Sequence, residues 1–503
     1  MMFSIITRVV GFLFRIYISR TIGSQSLGEY QVSFSIFMVL LTIISSGLPF
    51  IISRLTAKYE VGNNKQQEHK MVTAGLIIGV VLSLILCALV VIFIPAFKHI
   101  FADERCITIL LILLPALVFS SVYSTLRGNI WGKRQYFSLC ITELFEQIAR
   151  VIIFIILIQG AMATKDGAYV SAISLSVACS LSAIMVIIIY FALGGKLKRN
   201  KDKAFYRYLI KKSTPITCVR LAGSLVQPII ALVIPLRLVA SGYSSAQALS
   251  LYGIAMGMTL PFLFIPSTII GSLSTALVPD LSAAFSINDM EHIRSRVVSS
   301  IKFTVFISVI FIPIYLGAGT LIGNFFYNNS QSGIMLEQSA WVILPLGLTN
   351  ISSSLLNSLG YEIKSMRNYI LGAIIMLLSI WFLPLIIGIN ALVWGFGICF
   401  VITSILNLKM IGKIVGGKIN ILKTMFVQLL FVIPSASICA FVSGILANFL
   451  PLFFNLMISC GVCALFYFSL CIVFNQIEIN SIVIKIKKKF YIKRKNKHQK
   501  LNI

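Results

Sequence analysis

Apolar residues fall along this chain in runs of about twenty, parted by short polar segments. A helix of about 20 residues rises roughly 30 Å, the thickness of a bilayer's hydrocarbon core. On that basis the pattern predicts helices over 3–22, 30–53, 71–95, 107–126, 139–159, 168–193, 213–236, 248–272, 300–323, 339–359, 369–388, 390–410, 423–447 and 452–475. The expected fold is all-α and polytopic, with about 14 transmembrane helices. Two places are irregular: the fifth run carries Glu143, Glu146 and Arg150, and only residues 388–390 divide the eleventh run from the twelfth.

Polar positions inside the runs are the candidates for function. The first run holds Arg8, Arg15 and Arg20, and an arginine at a helix centre costs at least ~2.5–3.5 kcal/mol unless it faces protein or a wet cavity. Arg8 and Arg15 stand two helical turns apart and share a face, so they form a positive strip suited to a large anion. Arg8 and Arg20 can instead snorkel to the two membrane surfaces, whereas Arg15 lies too deep to do so.

Composition agrees with the runs. The 503 residues are 58% hydrophobic and 11% charged, with a mean hydropathy of +0.96, which excludes a soluble globular chain. The net charge of +27 resembles a nucleic-acid binder's until its placement is read. Thirty-three of the 42 lysines and arginines fall in alternate segments (54–70, 127–138, 196–212, 294–302, 360–368, 409–423 and 485–500), and only Arg20, Lys98, Arg105, Lys165 and Arg237 fall in the opposite set. That asymmetry predicts a multi-pass plasma-membrane protein with both termini cytoplasmic. The basic tail is then an anchor on anionic membrane lipid, and no nucleic-acid partner is expected. The first run has no small-residue cleavage site and is expected to be retained. Most of the ten cysteines, such as Cys87, Cys179, Cys218, Cys399 and Cys439, lie inside apolar runs as small hydrophobes. Cys460 and Cys463 lack nearby His or acid partners, so no metal or cofactor is expected.

Two short echoes suggest an internal repeat. Arg8-x-x-Gly11-x-x-x-Arg15 returns as Arg220-x-x-Gly223-x-x-x-Gln227, and Ile51–Ala57 (IISRLTA) returns as Leu277–Ala283 (LVPDLSA). With six runs in each half, both halves enter from one side, which implies two parallel six-helix bundles plus two extra C-terminal helices. The expected divisions are 1–195, a basic linker 196–212, 213–411, helices 13–14 within 412–476, and a basic tail 477–503. A cavity between the halves would carry Arg8, Arg15, Arg54, Arg220, Gln227 and Arg237. Prolines fall in or at the ends of many runs, and the pair Pro261 and Pro266 is a candidate hinge. Glu143, Glu146 and Arg150 share one helix face, as a structural pair between Glu146 and Arg150 or as an ion-coupling group.

No phosphate loop, H-E-x-x-H or G-x-S-x-G occurs, and the four histidines sit outside the runs, so an enzyme is not expected. Energy would come from a coupling ion, the membrane potential or the substrate gradient.

Several segments resemble the stage V sporulation protein B group of the multidrug, oligosaccharidyl-lipid and polysaccharide exporter superfamily. They are Arg8-Val-Val-Gly-Phe with Arg15, Arg20-Thr-Ile-Gly23, Leu27-Gly-Glu-Tyr30, Gly47-Leu-Pro-Phe-Ile-Ile-Ser-Arg54, Ile234-Pro-Leu-Arg-Leu238 and Ala276-Leu-Val-Pro-Asp-Leu-Ser282. The resemblance implies a fourteen-helix flippase fold whose lipid II flippase members line a cationic cavity with arginines, here Arg8, Arg15, Arg20 and Arg54. Arg237 matches the sporulation group's own motif. The resemblance also implies that the last two helices form a groove for a lipid tail.

The leading expectation is a flippase for a polyprenyl-pyrophosphate-linked glycan, lipid II first, serving cell-wall or spore-cortex synthesis. Another lipid-linked polysaccharide is the alternative. A cation-coupled drug antiporter fits less well, because the runs hold few carboxylates and the expected cavity is cationic. A scaffold that transports nothing is the reading from a different class.

Overall fold

The computed structural model describes residues 2–95, 101–160, 167–199, 202–416 and 422–474. The expected tail over 477–503 and residues Lys98, Lys165 and Lys201 lie outside the described residues.

All fourteen predicted spans are helical. In chain order they are α1 (2–22), α2 (24–61), α3 (Lys65–Ile92), α4 (Arg105–Gly132), α5 (Tyr136–Gln159), α6 (Gly167–Ala192), α7 (Lys203–Ala240), α8 (245–286), α9 (Met290–Tyr327), α10 (Ser330–Ser358), α11 (Glu362–Phe382), α12 (Asn390–Ile414), α13 (Leu422–Leu446) and α14 (Leu452–Val473). Among the described residues thirteen stretches are long and apolar enough to cross a membrane. One of these holds both α1 and α2, two are the halves of α8, and the charged α5 stands outside the thirteen. The chain is thus an all-α, multi-pass membrane protein.

Several helices outrun their apolar stretches. α2 reaches Val61, α4 reaches Gly132, α7 begins at Lys203 and α9 at Met290, because polar residues beyond the hydrocarbon continue a helix without penalty. The gap expected at 23–29 is also helical from Ser24 onward. Gly23 alone separates α1 from α2, at φ 77° and ψ 173°, a conformation in which a side chain would be strained.

By packing, the chain divides into one unit of Met1–Leu260 with Met376–Gly395 and another of Pro261–Ile375 with Phe396–Ile503. The division falls inside α8 and not in the linker expected over 196–212. The reason lies in small residues: Gly28 on α2 and Gly253 on α8 bring the two backbones so close that a methyl on Gly28 would strike the Leu249 carbonyl. Ser24 and Ser250 are hydrogen-bonded at 2.6 Å in the same contact, and Gly47 likewise admits the Ser213 backbone of α7. Small-residue seams of this kind drive helix association where lipid offers no hydrophobic gain.

In the first unit, an apolar cluster of Ile52, Met71, Val72, Ala74, Ile130 and Val186 lies beside a polar knot. Asn129 donates its amide to Thr56 Oγ1 (3.0 Å) and to Glu68 Oε1 (2.8 Å), and Lys133 Nζ stands 2.9 Å from the same carboxylate oxygen. The start of the linker is tied to α3 by two backbone donors, Lys196 N–H to His69 Nδ1 (3.3 Å) and Lys198 N–H to Thr73 Oγ1 (2.9 Å).

In the second unit, α9 and α10 meet through Gly319, Gly323 and Gly333, with Glu337 Oε1 accepting the Thr320 N–H at 2.9 Å. α13 and α14 are joined by Asn455 Nδ2 to the Ser443 carbonyl (3.0 Å) and by Cys439 Sγ to the Ser459 carbonyl (3.6 Å), so this cysteine acts as a small core residue.

The buried Glu68–Lys133 pair sets a stability test. Removing one partner of such a pair strands the other charge and costs about 3–5 kcal/mol. Glu68→Ala is therefore expected to lower the thermal unfolding midpoint of the purified protein in detergent, and Glu68→Met/Lys133→Met to recover part of the loss. An unchanged midpoint in Glu68→Ala contradicts the assignment.

Candidate functional site

A cavity of about 810 Å³ opens within the first unit, lined from α1, α2, α4, α5, α6 and α7. Its charged lining is Arg8, Arg127 and Arg220 with Glu143 and Glu146. Around these stand the hydroxyls of Thr7, Ser45, Ser120, Tyr123, Ser124 and Ser182, the Gln147 amide and the half-exposed Trp131. Thr7 and Arg8 begin α1 while Arg127 and Trp131 end α4, so the cavity sits toward the end of the unit where the N-terminus lies.

Helix geometry explains the lining. On α4, Ser120, Tyr123, Ser124 and Arg127 recur at three- and four-residue spacing and so occupy one face. On α5, Glu143, Glu146 and Gln147 do the same. Gly11 lets α1 approach α5, since a methyl there would stand 3.2 Å from Gln147 Nε2. Arg127 forms an ion pair with Glu143 across the α4–α5 turn and lies 5.9 Å over the Tyr123 ring. Arg8 and Arg220 have no ion pair among the described residues, and both are exposed to the cavity. They are also the equivalent residues of the repeat read from the sequence.

The other expected site residues are placed elsewhere. Arg15 shares Arg8's face, but two turns deeper that face meets α8 and not the cavity: Arg15 Nη2 donates to the Met256 carbonyl at 2.7 Å. The strip expected of Arg8 and Arg15 is thereby divided between two tasks. Residues 254–259 of α8 form a π-helix, in which each carbonyl accepts from the fifth residue onward. Ala255's carbonyl is taken by the Leu260 N–H, but Met256's would need a donor on Pro261, which has none. Arg15 supplies it.

Arg20, Arg54 and Gln227 are exposed and do not line the cavity. Arg237 donates from Nε to the Trp381 carbonyl at 2.7 Å and lies 4.8 Å over that ring, a structural contact within the first unit. The expected Glu146–Arg150 salt bridge does not form. Arg150 turns toward α1 and α2, donating to the Tyr30 hydroxyl at 2.7 Å and lying 5.3 Å over Phe14, while the ion pair of α5 is the one between Glu143 and Arg127. Pro266 lies in the first turn after the break at Phe264, and Pro261 directly follows the π-helix. No group of three His, Cys, Asp or Glu that could hold a metal ion occurs among the described residues.

Arg127 is the residue that sequence reasoning missed. It falls one residue past the expected end of the fourth run, among loop cations. The available signal was the polar stripe through Ser120, Tyr123 and Ser124, which continues onto it.

The helices and their order define an all-α, polytopic membrane fold. The chain is similar to a solved structure of the lipid II flippase MurJ in an inward closed conformation, at a TM-score of 0.69 and 17% identity, over 94% of this chain and 98% of that one. It is also similar to an inward-facing multidrug-resistance MATE family transporter of the MOP superfamily, at a TM-score of 0.64 and 13% identity, over 83% of this chain and 95% of that one. The chain belongs to the polysaccharide biosynthesis protein family, which matches residues 1–285. Among curated relatives it is 26% identical to stage V sporulation protein B of Bacillus subtilis (strain 168), covering 74% of this chain and 73% of the relative. To that organism's lipid II flippase MurJ it is 20% identical, covering 74% of each.

The Arg15 contact is testable through the proline. A hydrogen bond from a charged donor contributes about 1.5–3 kcal/mol, so Arg15→Ala is expected to lower unfolding free energy by that order in a detergent denaturation series. Pro261→Ala restores a backbone donor, and in that background the cost of Arg15→Ala is expected to shrink. An equal cost in both backgrounds contradicts the assignment.

Proposed function

We propose that this protein moves a polyprenyl-pyrophosphate-linked glycan from the inner to the outer leaflet of the plasma membrane, with lipid II as the favoured substrate. The observation that carries the reading is the cavity whose wall bears Arg8, Arg127 and Arg220. A pyrophosphate must cross a low-dielectric layer, and guanidiniums both neutralise it and grip its oxygens at two points. The hydroxyls, Gln147 and Trp131 are the groups a sugar would use, as hydrogen-bond partners and a flat apolar face.

The excess of lysine and arginine in alternate loops supports a cytoplasmic N-terminal end of the cavity, where such a precursor would enter, and cytoplasmic termini with it. Family membership and the relatives named for lipid II flipping and sporulation support a lipid-linked glycan as cargo and a role in cell-wall or spore-cortex synthesis. The substrate is carried without chemical change, driven by an ion gradient, the membrane potential or its own gradient. Pro261 and Pro266 are the hinge of this cycle, flanked by the π-helix at 254–259 and the break at Phe264. The cation excess favours this reading over a drug antiporter.

The test uses a bacterium depleted of its own lipid II flippase. Expression of this protein is expected to restore growth and externally accessible lipid II, and Arg8→Ala or Arg220→Ala to abolish both while the protein still accumulates in the membrane. A well-expressed protein that restores neither overturns lipid II as the substrate and moves the proposal to another polyprenyl-linked polysaccharide.

A further inference from the structure

The cavity holds two acids, Glu143 and Glu146, in a wall read as an anion site, and one of them is engaged by a guanidinium. Of its three guanidiniums, Arg127 alone is in an ion pair with a lining acid, Glu143, and the two side chains are 39% and 32% exposed, so both reach the open space. Arg8 and Arg220 leave their charge to the cavity.

We propose that Glu143 is a resident counter-ion for Arg127, which the phosphate of an incoming lipid head displaces. Binding is then an exchange of carboxylate for phosphate on one guanidinium. This deepens the proposed function and rests on it.

Three observations lead there. Three cations around one cavity repel one another when it is empty, and an internal carboxylate on one of them relieves that repulsion. The pair links α4, at Arg127, to α5, at Glu143, across the short turn that joins the two helices, so it lies between neighbouring helices and not within one. Gln147, one turn beyond Glu143 on α5 and in the same lining, offers amide donors to a carboxylate that has let go.

The exchange also selects. A ligand with a single negative charge gains little by replacing a tethered carboxylate, whereas a pyrophosphate brings more charge and more acceptor oxygens to Arg127 while Arg8 and Arg220 draw it in. The site therefore prefers a pyrophosphate-bearing lipid over the corresponding monophosphate, and a monophosphate over a carboxylate or a neutral glycan.

The experiment measures binding of geranylgeranyl pyrophosphate, its monophosphate and its alcohol to the full-length protein in nanodiscs. Glu143→Gln is expected to tighten pyrophosphate binding by about tenfold and to narrow its advantage over the monophosphate. Glu146→Gln removes the cavity's other acid, which makes no ion pair with Arg127, and is expected to gain clearly less. In an Arg127→Gln background, Glu143→Gln is expected to change nothing. Equal gains from Glu143→Gln and Glu146→Gln, a gain that persists without Arg127, or weaker binding in Glu143→Gln would each overturn the exchange while leaving the cavity as the binding site. A folded wild-type protein that binds no pyrophosphate lipid overturns the proposed function itself.

Discussion

A positive charge inside a bilayer must be answered by something, and much of the first unit is arranged around that requirement. Four of its cations have identifiable answers. Lys133 meets the buried Glu68, Arg150 meets the Tyr30 hydroxyl and the Phe14 face, Arg15 meets a backbone carbonyl, and Arg127 meets Glu143. Arg8 and Arg220 have no carboxylate answer among the described residues and open onto a cavity of about 810 Å³. Their charge is left for water and for what the cavity admits, and this is why the functional reading rests on them.

The same requirement joins α1 to α8. A π-helix followed by proline leaves one carbonyl without a backbone donor, an arrangement that costs little in water and a good deal inside a membrane. Arg15 supplies that donor from another helix, so the π-helix of α8 is joined to α1 by a side-chain hydrogen bond. It lies directly before Pro261, where the first packing unit ends.

Much of the fold was legible in the sequence because bilayer thickness imposes one length on every crossing. All fourteen runs became helices, and errors were confined to ends where polar residues carry a helix beyond the apolar stretch, as in α2, α4 and α7. Packing was less legible: the small-residue seam of Gly28 with Gly253 ties the start of α8 to the first unit, and no hydropathy pattern records which glycine meets which. For the site, a charged residue in an apolar run reliably marks a need for a partner, but not the partner's identity. Arg8 and Arg220 were found with their repeat relation, whereas Arg15 was assigned to a ligand and meets a carbonyl. Glu146 and Arg150 have ideal spacing for a pair, yet Arg150 is directed instead to Tyr30 and Phe14 on neighbouring helices. Arg127 was lost among loop cations because hydropathy ends a run before a helix does.

The central claim is that Arg8 and Arg220 hold an anionic lipid-linked glycan, and native mass spectrometry of the protein released from its own membrane tests it most directly. The account predicts a bound species with the mass of a polyprenyl-pyrophosphate glycan, retained by the wild-type protein and lost from an Arg8→Ala/Arg220→Ala variant of equal stability. A neutral lipid in the wild-type protein, or equal retention of the glycan by both proteins, would contradict it.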